Sequence, residues 1–496
     1  MKPSNELFVL IKSLTKSEKR FFKLSSSMQN GEKNYIKIFD YIDSQETYDE
    51  YQMKDYFEGE TFVKHLPSEK NHLYKLILKS LRAFYSEQTV SSQLKEELKN
   101  IEILYNKALY KECAKFLKRA KRLAWEYEKF YYLIELIAWE KQLIEDAYQD
   151  GDFSVDLSAL ILEEAEIVGK LQNLATYHVL YSEINAIFRS GGFSKNEAER
   201  KQVDAIANHP LIKGKNTALS VRAATICYYI QGLCAATNRD YKSSYLKFNK
   251  TKEILDKNPK LKKDLGQRYI LTLSHLLNCY KDERDFEMAQ SVINDLNDLR
   301  NDKSFQSLDL KIKLFGICFN EQIYLYNQLG EYQKAITYFD ATNQEKPNLI
   351  NSFNKEQLIV MYFNMANAYF GNRDFKNALK CINEIINDNE SNLRQDIYSF
   401  SRILNIFIHY ELGNFEYLDY TMKSTSRFFK KTQKDYHFEK VIIQNISKLM
   451  RVEDIDARYN LYEAFAQDVE ELLEQPEEKV ILAYFNLPEW LNGKLN

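Results

Sequence analysis

The chain has few of the residues that make tight turns. Its 496 residues include 14 glycines and 7 prolines, together about 4% of the total, whereas these two residues make up about 12% of an average protein. Sandwiches, barrels and doubly wound sheets need many tight turns, which Gly and Pro largely supply. The composition therefore excludes these folds and predicts an all-α protein in which short loops join long helices.

An excess of positive charge is also missing. Lys and Arg number 68 and Asp and Glu number 71, which gives a net charge of −3. Proteins dedicated to nucleic-acid binding usually carry a basic excess, because phosphate contacts dominate their affinity. Nucleic acid is therefore a disfavoured partner for the surface as a whole.

The features of secreted and membrane proteins are missing as well. The six cysteines form no Cys-x-x-Cys pair and each lies in an apolar helical run, which predicts reduced thiols in the core. The N-terminus lacks the apolar segment of a secretory signal. The longest uncharged apolar stretches, Ala223–Thr237 and Gln357–Asn372, are too short to span a bilayer. We expect a cytoplasmic protein without a membrane span.

The sequence contains no motif with a known catalytic or cofactor-binding mechanism. Gly-x-Gly-x-x-Gly, His-Glu-x-x-His and Gly-x-Ser-x-Gly runs do not occur, so the usual nucleotide, zinc and hydrolase signatures are missing. His65 and His72 are close in sequence, but Pro67 lies between them and no Cys or carboxylate completes a metal site. We therefore predict no catalytic residue, no cofactor and no metal, and interpret the protein as not an enzyme.

One local pattern recurs along the chain: a helical run, a break, an aromatic residue and a second amphipathic run. The aromatic residues after the break, which we call the anchors, lie 40 to 48 residues apart, with a mean period of about 44. The anchors are Tyr110, Phe153, Phe193, Tyr241, Phe286, Tyr332, Phe375 and Phe415. Such even spacing indicates stacked helical hairpins, because a single hairpin cannot bury its apolar face alone.

The pattern resembles the tetratricopeptide repeat, a helix-turn-helix unit of roughly 34 residues. Five residues occupy the places where that motif has Tyr, Gly, Ala, Phe and Pro: Tyr326, Gly330, Ala335, Phe339 and Pro347. The longer period departs from the motif, and other helical-hairpin solenoids with periods in the forties fit the spacing equally well. The resemblance implies an α-solenoid of about eight helical hairpins with helical N- and C-terminal caps.

Two kinds of small residue accompany the anchors. Ala289, Ala335 and Ala378 each follow an anchor by three positions, and we expect them to let the second helix of a hairpin approach the first closely. Gly330 and Gly413 lie where a helix is predicted to end, at a position where a positive φ favours glycine.

The two ends of the chain differ from its repetitive middle. We interpret residues 1–90 as an N-terminal helical module or cap, residues 91–430 as the tetratricopeptide-like repeats and residues 431–496 as a C-terminal helical cap. Terminal units of solenoids are commonly atypical, because each one covers an otherwise exposed face.

The N-terminal block has a signature of its own. Thr15-x-x-Glu18 is a capping box, which predicts that a helix starts there. The run Leu14–Phe22 is similar to the start of a bacterial family of helical-repeat proteins to which no activity is assigned. This resemblance implies helical repeats but no function.

The predicted solenoid favours a function in protein binding. Repeat solenoids hold peptides or partner proteins on an extended concave surface, the groove, which is lined by the first helix of each hairpin. Asn amides can bind a peptide backbone there, and Tyr supplies contact area at low entropy cost. We expect a non-enzymatic scaffold or adaptor that binds a protein or peptide partner. The repeat register points six residues toward the groove: Asn320, Tyr324, Asn364, Asn367, His275 and Asn278.

Basic side chains support an alternative function. Two stripes at helical spacing, one on the last N-terminal helix and one on the second helix of the first hairpin, together predict a basic patch: Lys75, Lys79, Arg82, Lys111, Lys115, Lys118 and Arg122. Lysines that merely solvate the back of a helix give the same pattern. A functional patch would instead indicate a ligand- or peptide-responsive regulator whose N-terminal module contacts nucleic acid.

Overall fold

The protein is built from helices. The structure, a computed structural model, describes residues 5–27, 34–149, 157–189, 197–388, 394–431, 437–475 and 478–495. All regular secondary structure in these ranges is helical, and no β-strand occurs within them. The all-α prediction is therefore confirmed. Long amphipathic segments with little Gly or Pro favour the α-helix, in which the backbone N–H and C=O groups bond to each other.

The helices form two compact units, Met1–Val168 and Gly169–Asn496. The division lies within one long helix, so it coincides with neither boundary of the predicted modules, whose limits stay a prediction. The first unit contains α1 (Glu6–Ser13), α2 (Lys16–Ser27), α3 (Asn34–Ser44), α4 (Glu50–Tyr56), a 3-10 helix (Thr61–His65), α5 (Leu66–Phe84), α6 (Val90–Asn106), α7 (Tyr110–Glu126), α8 (Phe130–Gln149) and the start of α9 (Leu157–Arg189).

The second unit begins with the rest of α9 and continues to the C-terminal helix. Its helices are α10 (Glu197–Ala207), α11 (Pro210–Lys213), α12 (Val221–Thr237), α13 (Tyr241–Lys257), α14 (Pro259–Asp264), α15 (Gly266–Asp282), α16 (Phe286–Leu299), α17 (Leu308–Gln328), α18 (Tyr332–Glu345), α19 (Pro347–Ile350), α20 (Lys355–Gly371), α21 (Phe375–Ile386), α22 (Gln395–Glu411), α23 (Phe415–Lys431), α24 (His437–Leu449), α25 (Ile455–Leu473) and α26 (Leu487–Leu495). Short 3-10 helices cover Lys303–Phe305 and Glu478–Ala483. Most helices of this unit pack against helices close to them in the chain.

The anchors mark the starts of helices. Phe153 and Phe193 lie outside the described residues. Each of the other six anchors is the first residue of a helix and follows the preceding helix by a three-residue turn: Tyr110, Tyr241, Phe286, Tyr332, Phe375 and Phe415. The predicted helix starts at these positions are therefore confirmed.

The three-residue turns share one backbone geometry. The middle residue has a positive φ in each: Ala108, Arg239, Arg284, Gly330, Arg373 and Gly413. In the turn before Phe375, the N–H of Asp374 donates to the carbonyl of Tyr369 at 2.8 Å, and the N–H of Arg373 donates to that of Phe370 at 3.0 Å. This pair of bonds is the Schellman motif, which satisfies the last carbonyls of the outgoing helix.

The position three residues after each of these six anchors is fully buried. Its occupants are Cys113, Ser244, Ala289, Ala335, Ala378 and Leu418, each with 0% exposure. Ser244 Oγ donates to the carbonyl of Gly232 on the preceding helix at 3.2 Å, which shows how closely the two helices approach. The expectation for Ala289, Ala335 and Ala378 is confirmed.

Local capping fixes the N-terminal helices as well. Thr15 N–H donates to Glu18 Oε2 at 2.6 Å, and Glu18 N–H donates to Thr15 Oγ1 at 3.3 Å. The predicted capping box is therefore present at the start of α2. Helices α1 to α5 share one apolar cluster that includes Ile11, Phe39 and Leu73, so these five helices have a core of their own.

The cysteines are free thiols. Five of the six are buried, and Cys381 is partly buried. Burial raises the pKa of each of these thiols, which keeps them protonated and unreactive. Their predicted place in the core is confirmed.

Candidate functional site

A cavity of about 490 Å³ lies in the second unit. Its walls are α17, α20, the starts of α18 and α21, the last residue of α22 and residues 483–494. Three of the six predicted groove residues line it, namely Tyr324, Asn364 and Asn367. The structure therefore brings together side chains that the repeat register places on consecutive first helices.

The C-terminal helix closes one side of the cavity through polar contacts. Tyr332 Oη donates to Glu489 Oε2 at 3.0 Å. Trp490 Nε1–H donates to Glu411 Oε1 at 2.6 Å, and Lys494 Nζ lies 2.7 Å from the same oxygen. These contacts tie α26 to α18 and α22, which precede it in the chain by many residues.

Aromatic side chains pack beneath these polar contacts. The ring of Tyr484 stacks on Phe400 with centroids 4.0 Å apart and planes at 5°. Phe485 and Trp490 both contact Phe407, at centroid distances of 4.6 and 4.8 Å. Buried aromatic pairs of this kind make the wall rigid, because each ring is held by its neighbours.

An amide ladder joins α17 to α20 beside the cavity. Asn320 Nδ2 donates to the carbonyl of Gln357 at 3.2 Å, and Asn364 Nδ2 donates to the carbonyl of Asn320 at 2.9 Å. Asn327 Nδ2 donates to the carbonyl of Asn364 at 2.7 Å. Two of the predicted groove residues, Asn320 and Asn364, are thus buried, and their amide N–H groups connect neighbouring helices.

The ladder leaves acceptor oxygens unused. Oδ1 of Asn320 and Oδ1 of Asn327 are buried and accept no hydrogen bond from the described residues. Asn327 lines the cavity, as does Asn367, whose amide bonds only the carbonyl of Phe363 one turn earlier at 3.0 Å. A buried acceptor without a donor is unfavourable, so the amide of Asn327 is the least satisfied polar group of the ladder that also lines the cavity.

A glycine allows the anchor at the start of α18 to form part of the wall. A Cβ at Gly371 would come within 2.5 Å of the Tyr332 ring. Only glycine lets the end of α20 approach the ring this closely.

The charges around the cavity nearly balance. Glu411 and Glu489 carry negative charge, and Lys494 and Arg373 carry positive charge. Lys494 is paired with Glu411. Arg373 is exposed and forms no ion pair with the described residues. A balanced, amide-rich lining suits a neutral polar group such as a peptide backbone better than a highly charged ligand.

Two predicted groove residues lie away from the cavity. The His275 ring stacks on Phe248 with centroids 4.4 Å apart, and its Nε2 is 2.9 Å from Tyr229 Oη. Asn278 is exposed and accepts a hydrogen bond from Lys281 Nζ at 3.3 Å. Their predicted role in binding stays a prediction.

Tyr324 lies between the cavity and Lys281, the residue that bonds Asn278. Lys281 Nζ lies over its ring, 4.1 Å from the centroid, while Tyr324 itself lines the cavity. Burial raises the pKa of the Tyr324 hydroxyl, so it is neutral and available as a donor or acceptor at neutral pH.

The predicted basic residues all lie on the first unit. Each side chain is exposed, and none forms an ion pair with the part of the chain that the structure describes: Lys75, Lys79, Arg82, Lys111, Lys115, Lys118 and Arg122. The first three are on α5 and the other four on α7. In contrast, Lys121 on α7 pairs with Glu163 at 2.7 Å.

Sequence reasoning missed the contribution of the C-terminal residues to the cavity. Glu489, Trp490 and Lys494 were interpreted as parts of a cap. No local signal in the sequence reveals their role, because their partners lie 79 to 157 positions earlier. Tyr332 carried a signal, since it is an anchor, but this predicted only a helix start.

The described residues include neither a metal-binding cluster nor a helix that could span a membrane. They contain no group of three or more His, Cys, Asp or Glu side chains that could hold a metal ion. None of their helices combines the length and the apolar character needed to cross a membrane.

Sequence comparisons assign no relative. No protein-family model matches the chain, and no curated protein matches it at a significant level. The case for a function therefore rests on the cavity and on the surface of the molecule.

Proposed function

We propose that this chain is a non-enzymatic helical-repeat scaffold that holds an extended segment of a partner protein in the cavity between α17, α20 and α26. The proposed architecture is an α-solenoid similar to the tetratricopeptide type. The repeated anchor, its three-residue turn and the buried position after it support this architecture. So does the packing of helices against their neighbours in sequence, which is typical of solenoids.

The chemistry of the cavity lining is the observation that carries the proposal. Asn327 lines the cavity and its Oδ1 has no donor among the described residues, the Asn367 amide bonds only its own helix within that part of the chain, and Tyr324 offers a neutral hydroxyl. These groups match the alternating N–H and C=O groups of a peptide. A volume of about 490 Å³ falls within the usual range of ligand sites, about 300–1,000 Å³.

A cavity-filling substitution tests this function. Asn367→Trp places a large ring inside the cavity, and Asn383→Trp places the same ring on the exposed side of α21. We expect a tagged wild-type chain and the Asn383→Trp variant to retain one partner at a near one-to-one ratio from a lysate of the native host. The Asn367→Trp variant should lose it.

The result is interpretable only if both variants fold. Equal melting temperatures and circular dichroism spectra for the three chains provide this control. Equal recovery of the partner by a folded Asn367→Trp variant would contradict the assignment of the cavity, whereas loss from both variants would point to damage outside it.

The exposed cations of the first unit favour a second candidate function. Seven basic side chains are exposed and form no ion pair with the described residues, so a polyanion could contact them, and we propose as the alternative a regulator whose N-terminal module contacts nucleic acid. A fluorescent oligonucleotide should then bind with an affinity that falls steeply between about 50 and 200 mM salt.

The matching substitutions separate this alternative from non-specific attraction. Replacing Lys75, Lys79 and Arg82 by Gln should weaken binding and reduce the salt dependence, whereas replacing Lys376 and Lys380 on α21 should change neither. A partner that stays bound after nuclease treatment and at the higher salt concentration would favour the scaffold function.

A further inference from the structure

A second site lies on α9, α12 and α15, away from the cavity. The guanidinium carbon of Arg268 is 5.3 Å from the ring centroid of Tyr181 and 5.1 Å from that of Tyr229. The two rings lie next to each other, with centroids 5.8 Å apart. Three helices thus place one cation against two aromatic faces.

Arg268 has no carboxylate partner in the described part of the chain. Its guanidinium forms no ion pair within 4.0 Å among the described residues, and its Nη1 is buried without a hydrogen-bond partner there. The nearby Arg222 is different, because it is paired with Asp264. A guanidinium carries five N–H donors. In this arrangement N–H groups of the partly buried Arg268 therefore have no acceptor among the described residues.

The electrostatic surroundings of Arg268 are positive. Burial lowers the pKa of Arg268, the neighbouring Tyr229 and Tyr181 raise it, and the charge of Arg222 lowers it further. Partial burial and then the charges of Arg268 and Arg222 lower the pKa of His178. Removing a charge from water without a counterion is costly, and contact with aromatic faces offsets only part of that cost.

We propose that Arg268, flanked by Tyr181, Tyr229 and Arg222, is a binding site for an oxyanion, either a carboxylate or a phosphate group. Arg is suited to this role because its planar fork donates two parallel hydrogen bonds to either group. The anion has two conceivable sources, a free small molecule or an acidic side chain of a docked segment. This inference does not rest on the proposed function of the cavity, which uses different helices.

Isothermal titration at constant ionic strength tests the site with two probes, inorganic phosphate and a blocked tripeptide of aspartate. Wild type and Arg200→Gln, which changes an exposed arginine of α10, should bind at least one probe saturably. Arg268→Gln should bind it at least about tenfold more weakly, because the charge-assisted hydrogen bonds are lost. Arg268→Lys should restore only part of the affinity, since Lys lacks the planar fork.

A measurement on the unaltered chain covers the case in which the variants fold poorly. Modification of Arg268 by phenylglyoxal, followed by mass spectrometry, should slow in the presence of the bound probe, while modification of Arg200 should not. Tighter binding of the tripeptide assigns the anion to a docked segment, and tighter binding of phosphate assigns it to a free molecule. Absence of saturable binding of both probes to wild type, or equal affinity in Arg268→Gln, would overturn the proposal.

Discussion

At the scale of single residues, burial sets the chemistry of several ionisable side chains. His275 packs flat against Phe248 and contacts Tyr229 through Nε2. Burial lowers the pKa of His275 to about 4, so the ring is neutral at pH 7. This histidine therefore acts as a packed core group, whose charge appears only when the protein unfolds or the solution is strongly acidic.

The depressed pKa of His275 predicts a pH-dependent contribution to stability. Between about pH 6.5 and the folded value of about 4, the unfolded chain binds a proton that the folded chain does not. The free energy of unfolding therefore has its full value, as far as His275 is concerned, above pH 6.5, and it decreases as the pH falls toward 4. We expect wild type to lose about 1–3 kcal/mol more than His275→Phe between pH 7 and pH 4.5.

Urea unfolding of both chains across this pH range measures the difference. The other histidines are common to wild type and variant, so their effects cancel in the comparison. If the free energy of unfolding changes with pH equally in the two chains, the pKa of His275 is not depressed by folding.

At the scale of secondary-structure elements, the turn between paired helices is the repeated device. The same positive φ is adopted by glycine in two turns and by arginine in three, among them Gly413 and Arg373. A side chain in the left-handed region costs about 1–2 kcal/mol. The turns that lack glycine therefore keep this geometry because both helices that flank the turn are held by packing.

Substitutions at these turns should have opposite effects on stability. Gly413→Ala should destabilise the protein by about 1 kcal/mol through backbone strain alone, because no atom lies within 4 Å of the added Cβ. Arg373→Gly should be neutral or stabilising by up to about 1 kcal/mol. Chemical unfolding measures both changes.

A matched control uses a glycine inside a helix. Gly169 lies in α9, and an added Cβ there also meets no atom within 4 Å. Gly169→Ala should stabilise the protein by about 0.5–1 kcal/mol, since Ala favours the helix. The same sign for Gly169→Ala and Gly413→Ala would contradict the role of the positive φ.

The buried position after each anchor predicts a steric limit on helix pairing. Ala378 has 0% exposure, so Ala378→Leu inserts a large side chain where α21 meets α20. We expect a loss of about 1–3 kcal/mol from overpacking. Lys376→Leu, on the exposed side of the same helix, should stay within about 0.5 kcal/mol of wild type. Thermal unfolding compares the two, and equal melting temperatures would show that the helices have room to separate.

At the scale of the whole molecule, the last helix completes the core of the second unit. Trp490 contacts the rings of Phe407, Tyr410, Tyr462 and Phe465. Phe407 and Tyr410 belong to α22, and Tyr462 and Phe465 belong to α25. One side chain of α26 thus links α25, its near neighbour in the chain, with the more distant α22.

Loss of this side chain should therefore destabilise the second unit. Trp490→Ala removes the ring contacts and the bond to Glu411, with an expected cost of about 3 kcal/mol or more. Hydrogen exchange should become faster in α20, α22 and α25, while the core of α1 to α5 keeps its protection. Glu489→Gln retains an acceptor for Tyr332 and should leave exchange unchanged. Unaltered exchange in Trp490→Ala would show that α26 is not part of the cooperative core.

Local features of this protein could be predicted from sequence because local forces decide them. The helix starts at Tyr332 and Phe375 each follow a turn of three residues, and Asp374 also caps the helix that starts at Phe375. The capping box at Thr15 and Glu18 involves residues three positions apart. The same reasoning could place Asn364 on an inner helix face, but it could not distinguish a ligand contact from the bond to the carbonyl of Asn320.

The sequence by itself determined the helical class, the breaks between helices and the small residues at which helices meet, since these depend on composition and on contacts within a few residues. Tertiary structure alone decided that α26 closes a cavity beside Asn327 and Asn367, and that no carboxylate of the described residues pairs with Arg268. Both outcomes depend on which side chains from distant helices become neighbours. The period of a single helix defines its faces but does not specify what those faces meet.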